Sequence, residues 1–477
     1  MLFPTLPFHV FFLVVFALNR ALARVRGANG REWRAIMLLV ASWLFYGLWE
    51  PRAVALLIGS SLGNWFLARR IATSLKHERR GSAKGWLWLA IAGNLALLGW
   101  FKYANFFAQQ AAALAEHLGM PDAVPALDVI LPVGISFFTF QGMSYVIDVF
   151  NGRTRPARLL DLTVLMSFFP HLVAGPIVRP SHLLPQLRHA PRLGRQEAAA
   201  CLLLILWGTI KKAVIASDLS IYLVDPVFSD PSSHSSLDLL IAAYGYAVQI
   251  YCDFSAYTDM AIGLAGLLGF RFPRNFDQPY RAPSLQDFWR RWHISLSSWL
   301  RDYLYIGAFG GSRQALWRTC LALLGTMVLG GLWHGASWNF VIWGALHGTV
   351  LVAERLWQQV RPEGWPVLPR WLGVVITFHI VALGWIFFRC TEFSGALAYL
   401  RGMAAMTGGT TQATPWLLGL IALGMACHFG PRLAVQHLAR QLGRLPGWTV
   451  GLLGAFVLLV IEGFRGQGMA PFIYFQF

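Results

Sequence analysis

The chain has 477 residues, of which 56% are hydrophobic and only 13% charged, and its formal net charge is +17. A water-soluble globule of this length needs far more surface charge, so ordinary cytosolic or secreted folds, collagen-like repeats, disordered chains and disulfide scaffolds are excluded. At about 20 apolar residues per crossing of a roughly 30 Å hydrocarbon core, there is room for about ten to twelve transmembrane helices, and the expected class is an all-α polytopic membrane protein.

The first apolar span, from about Pro7 to Leu18, has no positive residue before it and no A-x-A-like cleavage signal tied to a polar mature start, which predicts a retained helix rather than a removed leader. Arg20, Arg24, Arg26, Arg31 and Arg34 follow as one basic loop, and Arg69, Arg70, Lys76, Arg79, Arg80 and Lys84 form a second. The positive-inside rule places both in the cytoplasm, with the stretch between them turning outside near Trp49-Glu50-Pro51 and the N-terminus outside. Further apolar spans run near 86–101, 128–150, 160–178, 199–216, 236–270, 319–353, 371–389, 415–430 and 447–462. Those longer than one crossing predict hairpins, tilted helices or broken helices.

Five lysines and 34 arginines are scattered through the short connecting segments. That distribution reads as charge facing anionic lipid headgroups, not as a nucleic-acid surface. The cysteines at 201, 252, 320, 390 and 427 stand singly, which argues against a disulfide framework or a cysteine metal site. There is no phosphate-cradling GxxxxGK[ST] loop, no GxGxxG after a strand, no HExxH and no GxSxG elbow. ATP-driven transport, dinucleotide chemistry and zinc hydrolysis lose their sequence support, and no metal is expected.

Two regions carry chemistry. From Ser284 to Ile306, the residues Leu285, Phe288, Trp289, Trp292, Leu296, Trp299, Leu300 and Tyr303 recur at i, i+3, i+4 and i+7. Asp287, Arg290, Arg291, Ser298, Arg301 and Asp302 fall on the far side, which predicts one amphipathic helix, lying at an interface or lining the protein. His293 sits on the edge between the two faces, where an incidental interfacial histidine and a functional one look alike. From Thr319 to Ala353 there are 35 residues without Asp, Glu, Lys or Arg. Gly330, Gly331 and Gly335 cluster at the middle and Ser337 can cap a second helix, so Leu332-Trp333-His334-Gly335-Ala336-Ser337-Trp338 predicts a break at membrane depth. His334 lies at that break. An ionisable group there is costly and marks a polar cavity, although a neutral histidine bonded to a backbone carbonyl satisfies the same pattern. His347, His379 and His428 have similar surroundings without a break and are expected to be structural.

Four blocks resemble the signatures of the membrane-bound O-acyltransferase family, in its bacterial alginate O-acetyltransferase branch. They are the run from Gln249 through Asp253 and Asp259 to Gly263, Asn275-Phe276-Asp277-Gln278-Pro279-Tyr280, Phe288-Trp289-Arg290-Arg291-Trp292-His293-Ile294-Ser295-Leu296-Ser297, and Gly330-Gly331-Leu332-Trp333-His334-Gly335-Ala336. Leu131 to Phe137, Leu172 to Ile177 and the terminal Ile473-Tyr474-Phe475-Gln476-Phe477 also match. The resemblance implies a single integral-membrane acyltransferase domain over residues 1–477, with its signature core at about 90–350. It further implies a ring of tilted, broken, re-entrant and interfacial helices around a central passage, in the bacterial inner membrane. By the same resemblance His334 is the expected catalytic residue and His293 the second characteristic histidine. Trp289, Arg290, Arg291, Trp333 and Asp253 are candidates to contact substrate.

Acyl transfer from a thioester to a hydroxyl needs a base for the hydroxyl proton, and an imidazole of ordinary pKa near 6.5 can take and return it. No carboxylate lies within the run that carries His334, so Asp253 and Asp259 are the nearest motif partners. Bonding between helices is the plainer role for both. Arg290 and Arg291 suit either donor phosphates or lipid headgroups. The expected reaction is O-acetylation, with acetyl-CoA as donor and no bound cofactor, for an exported polysaccharide or cell-wall polymer. A periplasmic acetyltransferase partner is expected to finish it. D-alanyl transfer from a carrier protein, as in the teichoic-acid branch, and a non-enzymatic transporter or flippase are the alternatives.

Overall fold

The computed structural model describes residues 3–472 apart from 4, 26, 121–123, 126, 190–192, 364–367, 431 and 464–469. Arg26 and the terminal block 473–477 lie outside the described residues. Among the described residues every regular element is helical, as the composition requires of a chain that must satisfy its backbone inside a bilayer. Among the described residues four helices are long and apolar enough to cross a membrane, Arg80–His117, Arg195–Ser229, Leu316–His334 and Arg370–Arg389. Shorter apolar helices are Leu6–Leu22, Ile135–Phe150, Pro415–Phe429 and Gly447–Ile461. The chain divides into two compact units, Met1–Leu202 with Met260–Pro273, and Leu203–Asp259 with Arg274–Phe477.

In the first unit, polar side chains tie apolar helices together. Asn64 on Pro51–Lys76 and Asn94 on Arg80–His117 exchange amide hydrogen bonds of 3.2 and 2.8 Å. Gly142 on Ile135–Phe150 packs against them, since a Cβ there would stand 2.6 Å from Asn64 Nδ2. Small residues with shared amides hold helices together in lipid, where apolar burial supplies no driving force. Arg34 departs from the reading of its loop as headgroup-facing. It is buried, donating to Asn19 Oδ1 at 2.8 Å and to the carbonyls of Leu268 and His189 at 3.1 and 3.2 Å, both just past the C-terminal ends of helices, so it satisfies carbonyls that the helices leave open. The 160–178 span is broken into Leu159–Ser167 and Phe169–Leu172, because Pro170 cannot continue the first helix.

In the second unit, Leu316–His334 and Trp338–Val360 form the predicted hairpin. Gly335 ends the first helix in extended backbone, and the Ser337 hydroxyl accepts from Asn339 N to start the second. A Cβ on Gly331 would collide with the Phe340 carbonyl, and one on Gly344 with the Met327 carbonyl; on Gly348 it would come within 2.9 Å of Leu324 Cδ1. Gly344 and Gly348 have the small-xxx-small spacing that lets membrane helices meet backbone to backbone.

The 284–306 segment corrects its prediction. It is not one helix but Leu285–Arg291, then Ile294–Trp299, then the wider turns of Leu300–Ala308. The break falls at His293, whose backbone is left-handed at φ 41°. The apolar stripe is nevertheless turned into protein: Leu285, Phe288, Trp292, Leu296, Trp299, Leu300 and Tyr303 are all buried.

Candidate active site

His334 ends the first arm of the hairpin and is 5% exposed. Aromatic edges surround its ring: Trp333 at 4.9 Å between centroids, Phe388 at 5.0 Å and Trp343 at 5.1 Å, each steeply inclined, with Phe340 at 6.3 Å. This is the arrangement that π-quadrupoles favour. It holds the imidazole in an apolar wall at a point where the backbone breaks.

His293 is fully buried, not on the edge of an amphipathic face as the periodicity predicts. The left-handed turn that swings it inward is fixed by Asn275, whose backbone carbonyl accepts from Ile294 N at 2.8 Å. The Asn275 amide oxygen accepts from Ser295 N at 3.0 Å and stands 3.2 Å from His293 Nδ1. Because that oxygen already faces one N–H, the amide cannot be reversed, and His293 Nδ1 must donate to it. Nε2 is therefore the lone-pair nitrogen of the neutral ring, and it is buried without a hydrogen-bond partner. Phe254 closes on the ring edge to face at 4.6 Å and Phe276 stacks on it at 6.3 Å. Trp333 touches His293 as well, at 6.1 Å. One indole thus contacts both histidines.

The other predicted residues separate. Trp289 packs against Trp343 at 5.7 Å and His347 at 5.4 Å, and its indole N–H is buried without a partner. Arg290 is exposed. Arg291 is half-buried and donates to Asp287 Oδ2 at 2.7 Å and to the Asp277 carbonyl at 3.3 Å, so it ties its own loop together. Asp253 is buried and pairs with Lys212 Nζ at 2.8 Å, and Asp259 pairs with Lys211 Nζ at 2.7 Å. Among the other histidines, His379 and His428 set Nδ1 2.8 and 3.0 Å from the carbonyl four residues earlier, the structural bond expected of them. His347 has no such bond; both its ring nitrogens are buried and without a partner, beside Trp343 at 4.7 Å.

Sequence reasoning passed over Lys211 and Lys212. They lie within an apolar span, 4% and 2% exposed at the side chain. Two adjacent cations at membrane depth are costly, and that cost was the signal available.

The chain also resembles known proteins over most of its length. The pattern described as MBOAT, membrane-bound O-acyltransferase family, matches residues 87–394. The chain is 36% identical to a probable alginate O-acetylase of Pseudomonas putida, over 94% of this chain and 96% of the relative. It is 42% identical to the probable alginate O-acetylase of Azotobacter vinelandii, over 76% and 71%. A peptidoglycan O-acetyltransferase of Helicobacter pylori is 35% identical, over 78% and 74%.

Proposed function

Because the chain belongs to the membrane-bound O-acyltransferase family and is a multi-pass membrane O-acyltransferase, we propose that it moves acetyl from cytoplasmic acetyl-CoA to a hydroxyl offered from the outer side of the bacterial inner membrane. Two histidines on one indole, His334 and His293 about Trp333, are the observation that carries this reading. His334 takes the proton of the attacking hydroxyl as the new C–O bond forms. The C–S bond of the thioester breaks, and the same proton returns to the leaving thiolate, so the histidine ends as it began. His293, with Nε2 as its lone-pair nitrogen, accepts a hydrogen bond from the incoming hydroxyl and orients it. Exposed Arg290 meets donor phosphates at the cytoplasmic mouth, while Trp289 and Trp333 line the approach. Asp253, already paired with Lys212, supports the site rather than touching substrate.

Names of the relatives favour acetyl over D-alanyl as the group carried, and a polysaccharide or cell-wall polymer as its destination. A polymer strand would lose water from many polar groups on entering a buried site, each loss costing about 1–3 kcal/mol. A single hydroxyl enters far more cheaply, so a periplasmic acetyltransferase partner collects the acetyl and completes transfer outside. With labelled acetyl-CoA sealed inside proteoliposomes, free thiol should appear inside, and label should reach polymer outside when the periplasmic partner is added. Efficient labelling of polymer by the purified chain alone would contradict the partnered scheme.

A further inference from the structure

Lys211 and Lys212 are buried cations that acyl transfer itself does not use. Both reach the part of the helix Ser236–Leu267 that belongs to the second unit, up to Asp259, and each spans one turn of it. Lys211 Nζ donates to Ser255 Oγ and to Asp259 Oδ2, both at 2.7 Å. Lys212 Nζ pairs with Asp253 at 2.8 Å and lies 5.8 Å from the Tyr257 ring centroid. It also donates to the Pro471 carbonyl at 3.2 Å. Successive residues turn by about 100° around a helix, so 253 with 257 and 255 with 259 form two stripes flanking a third. That middle stripe carries Phe254 and Thr258.

Both of those side chains support His293. Phe254 meets its ring edge to face at 4.6 Å. Thr258 Oγ1 accepts from Asn275 Nδ2 at 3.4 Å, and Asn275 fixes the imidazole through Nδ1. We infer that Lys211 and Lys212 are positioning residues: their two ion pairs fix the rotation of this helix about its axis and so set His293. This rests on the function proposed above. On a helix with side-chain tips about 5 Å from its axis, a turn of about 20° moves a tip by about 2 Å. Misplacement by about 1 Å can cost about a hundredfold in rate. A buried ion pair is a poor source of stability, and a matched apolar or neutral replacement of both partners is often tolerated. Placement, not stability, is what these pairs supply.

The test replaces both partners of one pair, Lys212→Met with Asp253→Asn, so that no charge is left unpaired. A second variant, Lys211→Met with Asp259→Asn, treats the other flank. Each is purified in detergent and measured by size exclusion, by acetyl-CoA turnover and by hydrogen exchange across residues 288–297. At least one is expected to accumulate as a monodisperse protein with kcat at least tenfold lower, KM for acetyl-CoA within twofold of wild type, and faster exchange across 288–297. A kcat within twofold of wild type, a loss confined to KM, or unchanged exchange would overturn the inference. So would failure of both variants to accumulate, which would make the pairs folding determinants. Exchange needs no turnover, so the positioning claim is judged even if the wild-type chain transfers no acetyl, a result that would sink the proposed function alone.

Discussion

The indole of Trp333 meets the imidazole of His293 at 63°, with 6.1 Å between centroids, while its chain neighbour His334 stands 4.9 Å from the same ring. One rigid side chain therefore sets the spacing of the two histidines. Trp333→Ala should lower acetyl-CoA turnover by at least tenfold, since freeing both rings costs alignment. Trp333→Phe, which keeps a ring in place, should retain more activity than Ala. Equal losses for the two substitutions, measured on purified protein, would remove the spacing role.

Asn275 holds His293 in one tautomer by accepting from Nδ1 while its orientation is locked by Ser295 N. Asn275→Ala should lower kcat by about a hundredfold, within the range that a positioned acid or base contributes. Asn275→Asp keeps an acceptor at that point and should be less impaired. The comparison is read from initial rates at saturating acetyl-CoA.

Close contact between the arms of the hairpin rests on glycine. Gly344→Ala would drive a methyl into the Met327 carbonyl and within 2.9 Å of Val328 Cα. Overpacking of this kind costs about 1–3 kcal/mol. Thermal unfolding in detergent should show a Tm several degrees lower, whereas Gly395→Ala, with nothing within 4 Å of its Cβ, should leave Tm unchanged.

The hairpin break was legible in sequence because its cues are local: a glycine stop, a serine cap and an apolar run too long for one crossing. His334 could be placed from those cues. His293 could not, because its left-handed turn is imposed by Asn275, 18 residues away, and periodicity reports only which face is apolar. The stripe itself was right: seven of its eight residues are buried and Trp289 is partly buried. Arg34 and the two lysines were obscured for a related reason. Charge in a loop looks solvated, and two lysines in an apolar run vanish into the average, until tertiary structure supplies the carbonyls and carboxylates that receive them.

Orientation rests on the two basic loops. With the native cysteines replaced, Glu50→Cys should react with a membrane-impermeant maleimide added to intact cells, and Arg79→Cys should react only after lysis. The reverse pattern would overturn the N-terminus-outside topology.

The central claim is that His334 is the base of an acetyl transfer. Its most direct measurement is thiol release from labelled acetyl-CoA by the purified chain with its periplasmic partner, comparing wild type with His334→Gln at matched protein level and matched size-exclusion profile. Loss of a positioned general base predicts a fall of about 10²–10⁴-fold in kcat with the fold intact. Turnover within a few-fold of wild type from a normally folded His334→Gln protein would contradict it.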